Sequence, residues 1–122
     1  MVEGRVKTEE AEKLIKSALD LIDEKNYSTA QEHVDKAYKI FKEEHYTEGI
    51  SICLSLISFL DYSEGKYHYE KALAMLQDGA FMATRASSVT AQLINELIFG
   101  NIHFAESNKD IAIIHYNNAL KL

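Results

Sequence analysis

Apolar residues recur at three- and four-residue steps along most of the chain, a spacing that places them on one face of an α-helix. The first such stretch covers residues 9–24, with Thr8 in the position of an N-cap. The second runs from about residue 28 to residue 44 and starts with Ser28 and Gln31. These two residues have the spacing of a capping box, in which each side chain bonds a free backbone N–H. Both stretches predict amphipathic helices.

A third stretch, residues 46–60, carries no charged residue after Glu48. A helix that is apolar on nearly every side needs neighbours on nearly every side, so this segment is predicted to be the central helix. Asp61 and Glu64 follow with the D-x-x-E spacing of a cap. A fourth helix is therefore predicted to begin there.

The second half of the chain predicts two more helices, one ending near Glu106 and one over residues 109–121. Residues 77–91 contain no proline, and Gly79 alone is a weak helix stop. The pattern leaves open whether this segment extends the fourth helix or connects it to the fifth. Six helices joined by short links are expected.

Length and composition favour a single all-α domain. The chain has 122 residues, 47% of them hydrophobic, with five glycines and no proline. This scarcity of glycine and proline removes the usual turn signals of a β-protein. A domain of this size buries roughly two thirds of its unfolded surface, so it needs neither a metal nor a disulfide for stability. No cofactor is predicted.

Charge and cysteine content indicate the cellular compartment and the classes of partner to expect. The net charge of −6 opposes binding to a phosphate backbone or an anionic membrane, so neither nucleic acid nor a membrane is the expected partner. Cys53 is the one cysteine, and its apolar run, residues 49–60, is too short to span a bilayer. Residues 1–5 lack the apolar core of a signal peptide. We expect a cytoplasmic protein with a reduced, buried thiol.

The chain also shows internal repetition. Residues 27–30 and the apolar positions after them align with residues 62–65 at an offset of 35, and a third copy starts at Lys109 after a further 47. Repetition on this scale is typical of stacked helix–turn–helix units. The units are predicted at about residues 9–43, 46–78 and 91–122.

Residues 61–65 (DYSEG), 69–73 (YEKAL) and 99–104 (FGNIHF) resemble the tetratricopeptide repeat family, whose unit is about 34 residues of helix–turn–helix. The resemblance implies an all-α fold of three antiparallel helix–turn–helix hairpins stacked as a short right-handed solenoid. It implies small residues where helices touch, because larger side chains push helix axes beyond about 8–10 Å. The usual closing proline is missing, and a plain six-helix bundle is the alternative. The matching small positions are Ala18, Ala30, Ala37, Cys53, Gly65, Ala72, Gly100, Ala112 and Ala119.

In this family the first helix of each hairpin lines a concave groove, so the resemblance implies a protein-interaction module or adaptor. It would bind a peptide or helix of a partner protein. The alternative is that the same side chains complete the core of a closed bundle. The matching groove positions are Ile15, Leu19, Ile22, Ile50, Leu54, Ile57, Ile94, Leu97, Ile98, Asn101 and Phe104.

Some members of the family bind C-terminal carboxylates through lysine, asparagine and arginine on the same helical face. The corresponding positions here are mostly apolar, so we expect no binding of acidic C-terminal tails. Those positions are Ile15, Leu19, Ser51, Ile94 and Ile98.

Neither the histidines nor any sequence motif indicates metal binding or catalysis. His33, His68 and His115 occupy equivalent repeat positions, which are too far apart to share a zinc ion, and no metal site is predicted. The chain has no G-x-S-x-G, Walker or G-x-G-x-x-G motif. We therefore expect structural histidines and a protein that is not an enzyme.

The last predicted helix has more apolar surface than one neighbour covers. Solenoids normally end in a polar capping helix, so we expect either a fragment of a longer repeat protein or a homodimer through this C-terminal hairpin. Alternative functions are therefore a homo-oligomeric assembly element and a sensor domain that binds a small apolar ligand between hairpins. The predicted interface residues are Ile113, Ile114, Tyr116 and Leu120.

Overall fold

A computed structural model describes residues 2–122 and shows six α-helices, with no strand in that range. The all-α prediction is confirmed. Helices α2 to α5 each have 17 residues, whereas α1 has 22 and α6 has 12. The helices are α1 (Val2–Asp23), α2 (Tyr27–Glu43), α3 (Thr47–Ser63), α4 (Tyr69–Arg85), α5 (Val89–Ala105) and α6 (Lys109–Leu120).

All five connections begin with the same turn, although the one between α3 and α4 is two residues longer than the others. Each contains one residue with positive φ, and the backbone N–H of the next residue bonds the carbonyl five positions earlier, as Asn26 does with Leu21 and Asn108 with His103. This is the bond pattern with which a left-handed residue ends a helix. The left-handed residues are Lys25, His45, Gly65, Ser87 and Ser107.

The boundary between α3 and α4 differs from the prediction. Asp61 and Glu64 do not open a helix, because α3 continues to Ser63 and α4 begins only at Tyr69. The offset of 35 therefore aligns the start of α2 with the end of α3, and that alignment is wrong. The equivalent turns at residues 25, 65 and 107 are instead 40 and 42 residues apart. The segment 77–91 continues α4 as far as Arg85.

Two predicted caps are also wrong. Thr8 lies inside α1, where its hydroxyl donates to the Gly4 carbonyl at 2.8 Å. Ser28 lies one residue inside α2, whose N-cap is Asn26 without a side-chain cap bond. The cap that does form is Ser88, whose hydroxyl accepts from the Ala91 backbone N–H at 3.0 Å. The start of α5 thus carries a capping residue that the sequence analysis does not identify.

The core is centred on α3, as its apolar sequence predicts. Helix α3 packs against α2, α4 and α5, and α1 and α6 lie outside this group, packed against α2 and α5 respectively. Ten of the 17 residues of α3 are buried, including Cys53. No helix within residues 2–122 is both long and apolar enough to cross a membrane.

Small residues lie in the interior at nearly every position where they are expected. Gly49 and Gly100 approach the aromatic rings of Phe41 and Tyr116 so closely that an added Cβ would clash with each ring. Gly65 is the exception and corrects the sequence analysis, because it is exposed in the α3–α4 turn with φ +77, and a Cβ at this position would have no neighbour within 4 Å. Its role is the left-handed turn, not helix contact.

Candidate functional site

An apolar groove lies between α1 and α5, and α3 forms its floor. It consists of two adjoining cavities of about 260 and 240 Å³. Leu19 of α1 and Ile94 of α5 line both cavities, which makes them one continuous depression. The groove therefore runs along three alternate helices of the chain.

The structure brings together most of the predicted groove residues of α1 and α5, and it places Phe104 outside both cavities. On α3, the floor is formed by residues that the sequence analysis does not select. Ile52, Leu56 and Phe59 contribute there, and Ile50, Leu54 and Ile57 do not line either cavity. The lining residues that match the prediction are Ile15, Leu19, Ile22, Ile94, Leu97, Ile98 and Asn101.

The floor of the groove is buried, and its walls are more exposed to solvent. Leu56 is buried, whereas Leu19 on one wall is 36% exposed and Leu97 on the other is 41% exposed. Asn101 is a polar member of the lining, and its side-chain oxygen accepts from the Tyr116 hydroxyl at 2.6 Å. A lining of this kind offers apolar contact together with few polar groups.

The charges that border the groove are mostly negative. Glu12 and Glu48 border one cavity together with Lys16, and Asp23 borders the other. Glu48 accepts a hydrogen bond from the Tyr46 hydroxyl at 3.0 Å. Burial, and then this bond to Glu48, raises the pKa of Tyr46 to about 12, so the phenol remains protonated at neutral pH.

The opposite side of α3 is closed by small polar residues. The Ser51 hydroxyl donates to the Gly79 carbonyl at 2.7 Å, and the Ser58 hydroxyl donates to the Ala72 carbonyl at 2.8 Å. The Asn95 amide of α5 donates to the Ser55 hydroxyl at 3.0 Å and to the Leu76 carbonyl at 2.8 Å. These bonds join α3, α4 and α5 without leaving an opening like that of the groove.

This polar junction is not among the sites predicted from the sequence. The available signal is the serine at positions 51, 55 and 58 of an otherwise apolar helix, which gives a polar stripe at helical spacing. Buried hydroxyls and amides need hydrogen-bond partners. The serine stripe therefore indicates the side of α3 that packs closely against the backbone of neighbouring helices.

A ring cluster joins α5 to α6. The His115 ring is nearly parallel to Phe99 and to His103, with centroid distances of 4.7 and 5.5 Å. His115 Nδ1 also lies 2.7 Å from a carboxylate oxygen of Glu96. Burial and then the nearby His115 lower the pKa of His103, which favours its neutral form. Parallel rings do not converge on one point, and residues 2–122 contain no group of three or more side chains placed to hold a metal.

The predicted equivalence of His33, His68 and His115 is wrong for His68, because His33 and His115 are the seventh residues of α2 and α6, whereas His68 precedes α4. His33 of α2 is half-buried, and His68 is the exposed N-cap residue of α4. Only His115 of the three belongs to the ring cluster. The repetition therefore gives the three histidines neither one common position nor one common environment.

The predicted interface residues of α6 divide into two groups. Ile113, Ile114 and Leu120 are exposed, and Leu120 reaches 84%. Tyr116 is half-buried, with its ring beside Gly100 and its hydroxyl bonded to Asn101. Tyr116 thus holds α6 against α5 within one chain.

Comparison with known proteins gives no relative: no family model, no curated protein and no solved structure matches this chain.

Proposed function

We propose that this protein is an interaction module whose groove binds an amphipathic helix of a partner protein. The observation that carries this proposal is the apolar depression between α1 and α5. Its lining includes half-exposed leucines on both walls, Leu19 and Leu97. Contiguous exposed apolar surface of this kind is typical of sites that bind other proteins.

We further propose that the helices form three antiparallel hairpins stacked as a short right-handed solenoid of the tetratricopeptide type. The contacts of α1 with α2, α3 with α4 and α5 with α6 support this arrangement, as does the recurrence of one turn at every connection. The spacing of equivalent turns, 40 and 42 residues, gives a longer unit than the usual one of about 34. The proposed role is binding in the cytoplasm, without catalysis.

The geometry of the two cavities favours a helical occupant. Their linings extend along α1 from Ile15 in one cavity to Ile22 in the other, which is seven residues or about 10 Å at the helical rise per residue. That is the distance between side chains at positions i and i+7 of a bound helix. Each cavity exceeds the roughly 150 Å³ that accommodates a benzene-sized molecule, so each has room for a large apolar side chain.

The border charges favour a basic partner. Glu12, Glu48 and Asp23 outnumber Lys16 at the rim, and the whole chain has a net charge of −6. Lysine or arginine beside the apolar stripe of the partner would meet complementary charge, which raises the rate of association and selects against acidic partners. The proposed ligand is therefore a basic amphipathic helix.

A synthetic peptide tests this proposal. The probe is a fluorescein-labelled peptide of about 18 leucine and lysine residues, long enough to form a helix, with leucine at the i, i+3, i+4 and i+7 positions. Fluorescence anisotropy measures its binding to the wild-type chain and to Leu19→Asn. We expect the substitution to weaken binding at least about tenfold, because it places an amide in the centre of the groove.

Two controls separate groove binding from general attraction between opposite charges. A peptide of the same composition with scrambled order should bind at least about tenfold more weakly. Val6→Asn changes an exposed apolar residue of the same helix that lines neither cavity, and it should leave binding unchanged. Equal affinity for both peptides, or equal loss in both variants, would overturn the proposal.

A further inference from the structure

We propose that a second copy of this chain covers an apolar surface on the last two helices, in a two-fold dimer. This α5/α6 face is distinct from the groove floor. It combines Leu93, Leu97 and Phe104 of α5 with Ile113 and Leu120 of α6, all of which are exposed. Leu97 borders both the face and the groove.

The position of this face follows from the equivalence of the helix pairs. Helices α3 and α5 have the same length and end in the same turn, so residues 42 apart correspond, and Leu93 and Leu97 match Ser51 and Ser55. Helices α4 and α6 begin 40 residues apart, at Tyr69 and Lys109, so Leu120 matches Ala80. In the earlier pair Ser55 lies where α5 packs, since it bonds Asn95, and Ala80 faces α5 across a cavity that Asn95 also lines.

The two equivalent faces differ in chemistry. Where α5 covers the α3/α4 pair, the contact residues are serines and Gly79, which permit close approach and hydrogen bonds. On the α5/α6 face the serine positions hold leucines, and Ala80 is replaced by Leu120. A further hairpin of the same kind would be held away by these side chains. The surface instead suits a flat apolar contact.

Area and charge favour a second copy as the occupant. The five exposed side chains present roughly 500 Å² of apolar surface, and a standard interface buries about 800 Å² on each partner, so neighbouring residues would supply a little over a third of the contact. None of the five is charged, although the chain carries a net charge of −6. A two-fold axis lets the same patch serve both partners and closes the assembly.

Sedimentation velocity of the whole 122-residue chain over a concentration series tests this inference. We expect a species of twice the 13.8 kDa chain mass. Leu120→Glu should raise the dimer dissociation constant at least about 100-fold, because it buries an unpaired carboxylate in the contact. The side chain of Leu120 is exposed within one chain, so this variant should keep the helical circular dichroism and melting temperature of a dilute wild-type sample.

The control is Ile111→Glu on the same helix. Ile111 is also exposed, and its nine-residue separation from Leu120 places it on the opposite side of α6. This variant should dimerise like the wild type. A monomer at all concentrations, growth beyond a dimer, or dissociation by Ile111→Glu would overturn the inference. Peptide binding at the groove is read separately, in Leu19→Asn, so failure of one proposal does not imply failure of the other.

Discussion

The two sides of α3 show how one helix both holds a stack of helices together and contributes to an open groove. On the closed side, Ser51 and Ser55 bring α4 and α5 into contact through hydrogen bonds. On the open side, Ile52, Leu56 and Phe59 form a floor beneath two cavities. Both sides are largely buried, yet the α3 side chains that line the two groove cavities all lie on the open side.

The difference comes from side-chain size and hydrogen bonding. A hydroxyl bonded to a backbone carbonyl satisfies a buried polar group and brings two helices close. Large aliphatic side chains keep neighbouring helices apart, and where no third helix fills the gap an apolar depression remains. Packing on the closed side should therefore control stability, and the open side should control binding.

Gly79→Leu should lower the free energy of unfolding most, because it disrupts packing on the closed side of α3. A Cβ added at Gly79 would lie 2.9 Å from the Ser55 hydroxyl and 3.2 Å from the Asn95 amide. We expect a loss of about 3 kcal/mol in the free energy of unfolding by overpacking, despite the better helix propensity of leucine. Urea unfolding measures this loss. Ala74→Leu, on the exposed face of the same helix, is the matched control and should not destabilise.

Asn95→Ala should have the next largest effect. It removes two buried hydrogen bonds, to Ser55 and to the Leu76 carbonyl, and leaves a small cavity. The expected loss is about 2 kcal/mol, measured by the same urea unfolding. Asn117→Ala removes an exposed amide from α6 and should be nearly neutral. Equal effects of the two substitutions would show that the polar junction does not hold α5 in place.

The substitution with the smallest expected effect, Ser107→Gly, lies outside both sides of α3. Ser107 has a φ of +64, which is costly for a residue with a Cβ. Ser107→Gly should therefore stabilise the fold by up to about 1 kcal/mol, visible as a higher melting temperature. Its matched control is Ser63→Gly, in the last helical turn of α3, which should destabilise slightly. If binding depends on the open side, Ser107→Gly leaves peptide affinity unchanged.

The number and type of the helices can be predicted from the sequence because their apolar periodicity is long and regular. The connections after α1, α2 and α5 are also predicted to within about two residues, whereas the one between α3 and α4 is misplaced and the one between α4 and α5 is left open. Four of the five left-handed residues are not glycine, so the turns themselves carry little signal in the sequence, and only the breaks in apolar periodicity locate them. The one glycine, Gly65, matches a helix contact in the repeat pattern and instead forms a turn.

The rotation of α3 about its own axis is the second feature that the sequence does not predict. A helix that is apolar all round has no polar face to define its outside, so Ile50 and Ile52 are equally good candidates for the groove. These positions differ by about 200° around the helix. Ser51 and Ser55 resolve the choice, because their hydroxyls bond α4 and α5 and turn Ile52 and Leu56 toward the groove.

Backbone amide NMR of the labelled chain, titrated with the patterned leucine–lysine peptide, tests the central claim most directly. We predict that the largest chemical-shift changes cluster at Leu19, Leu56 and Leu97, on the three helices that form the groove. Residues on the exposed faces of α2 and α4 should change little. Shifts concentrated on α2 and α4, or spread evenly over the acidic surface, would contradict the assignment of binding to the open side of α3.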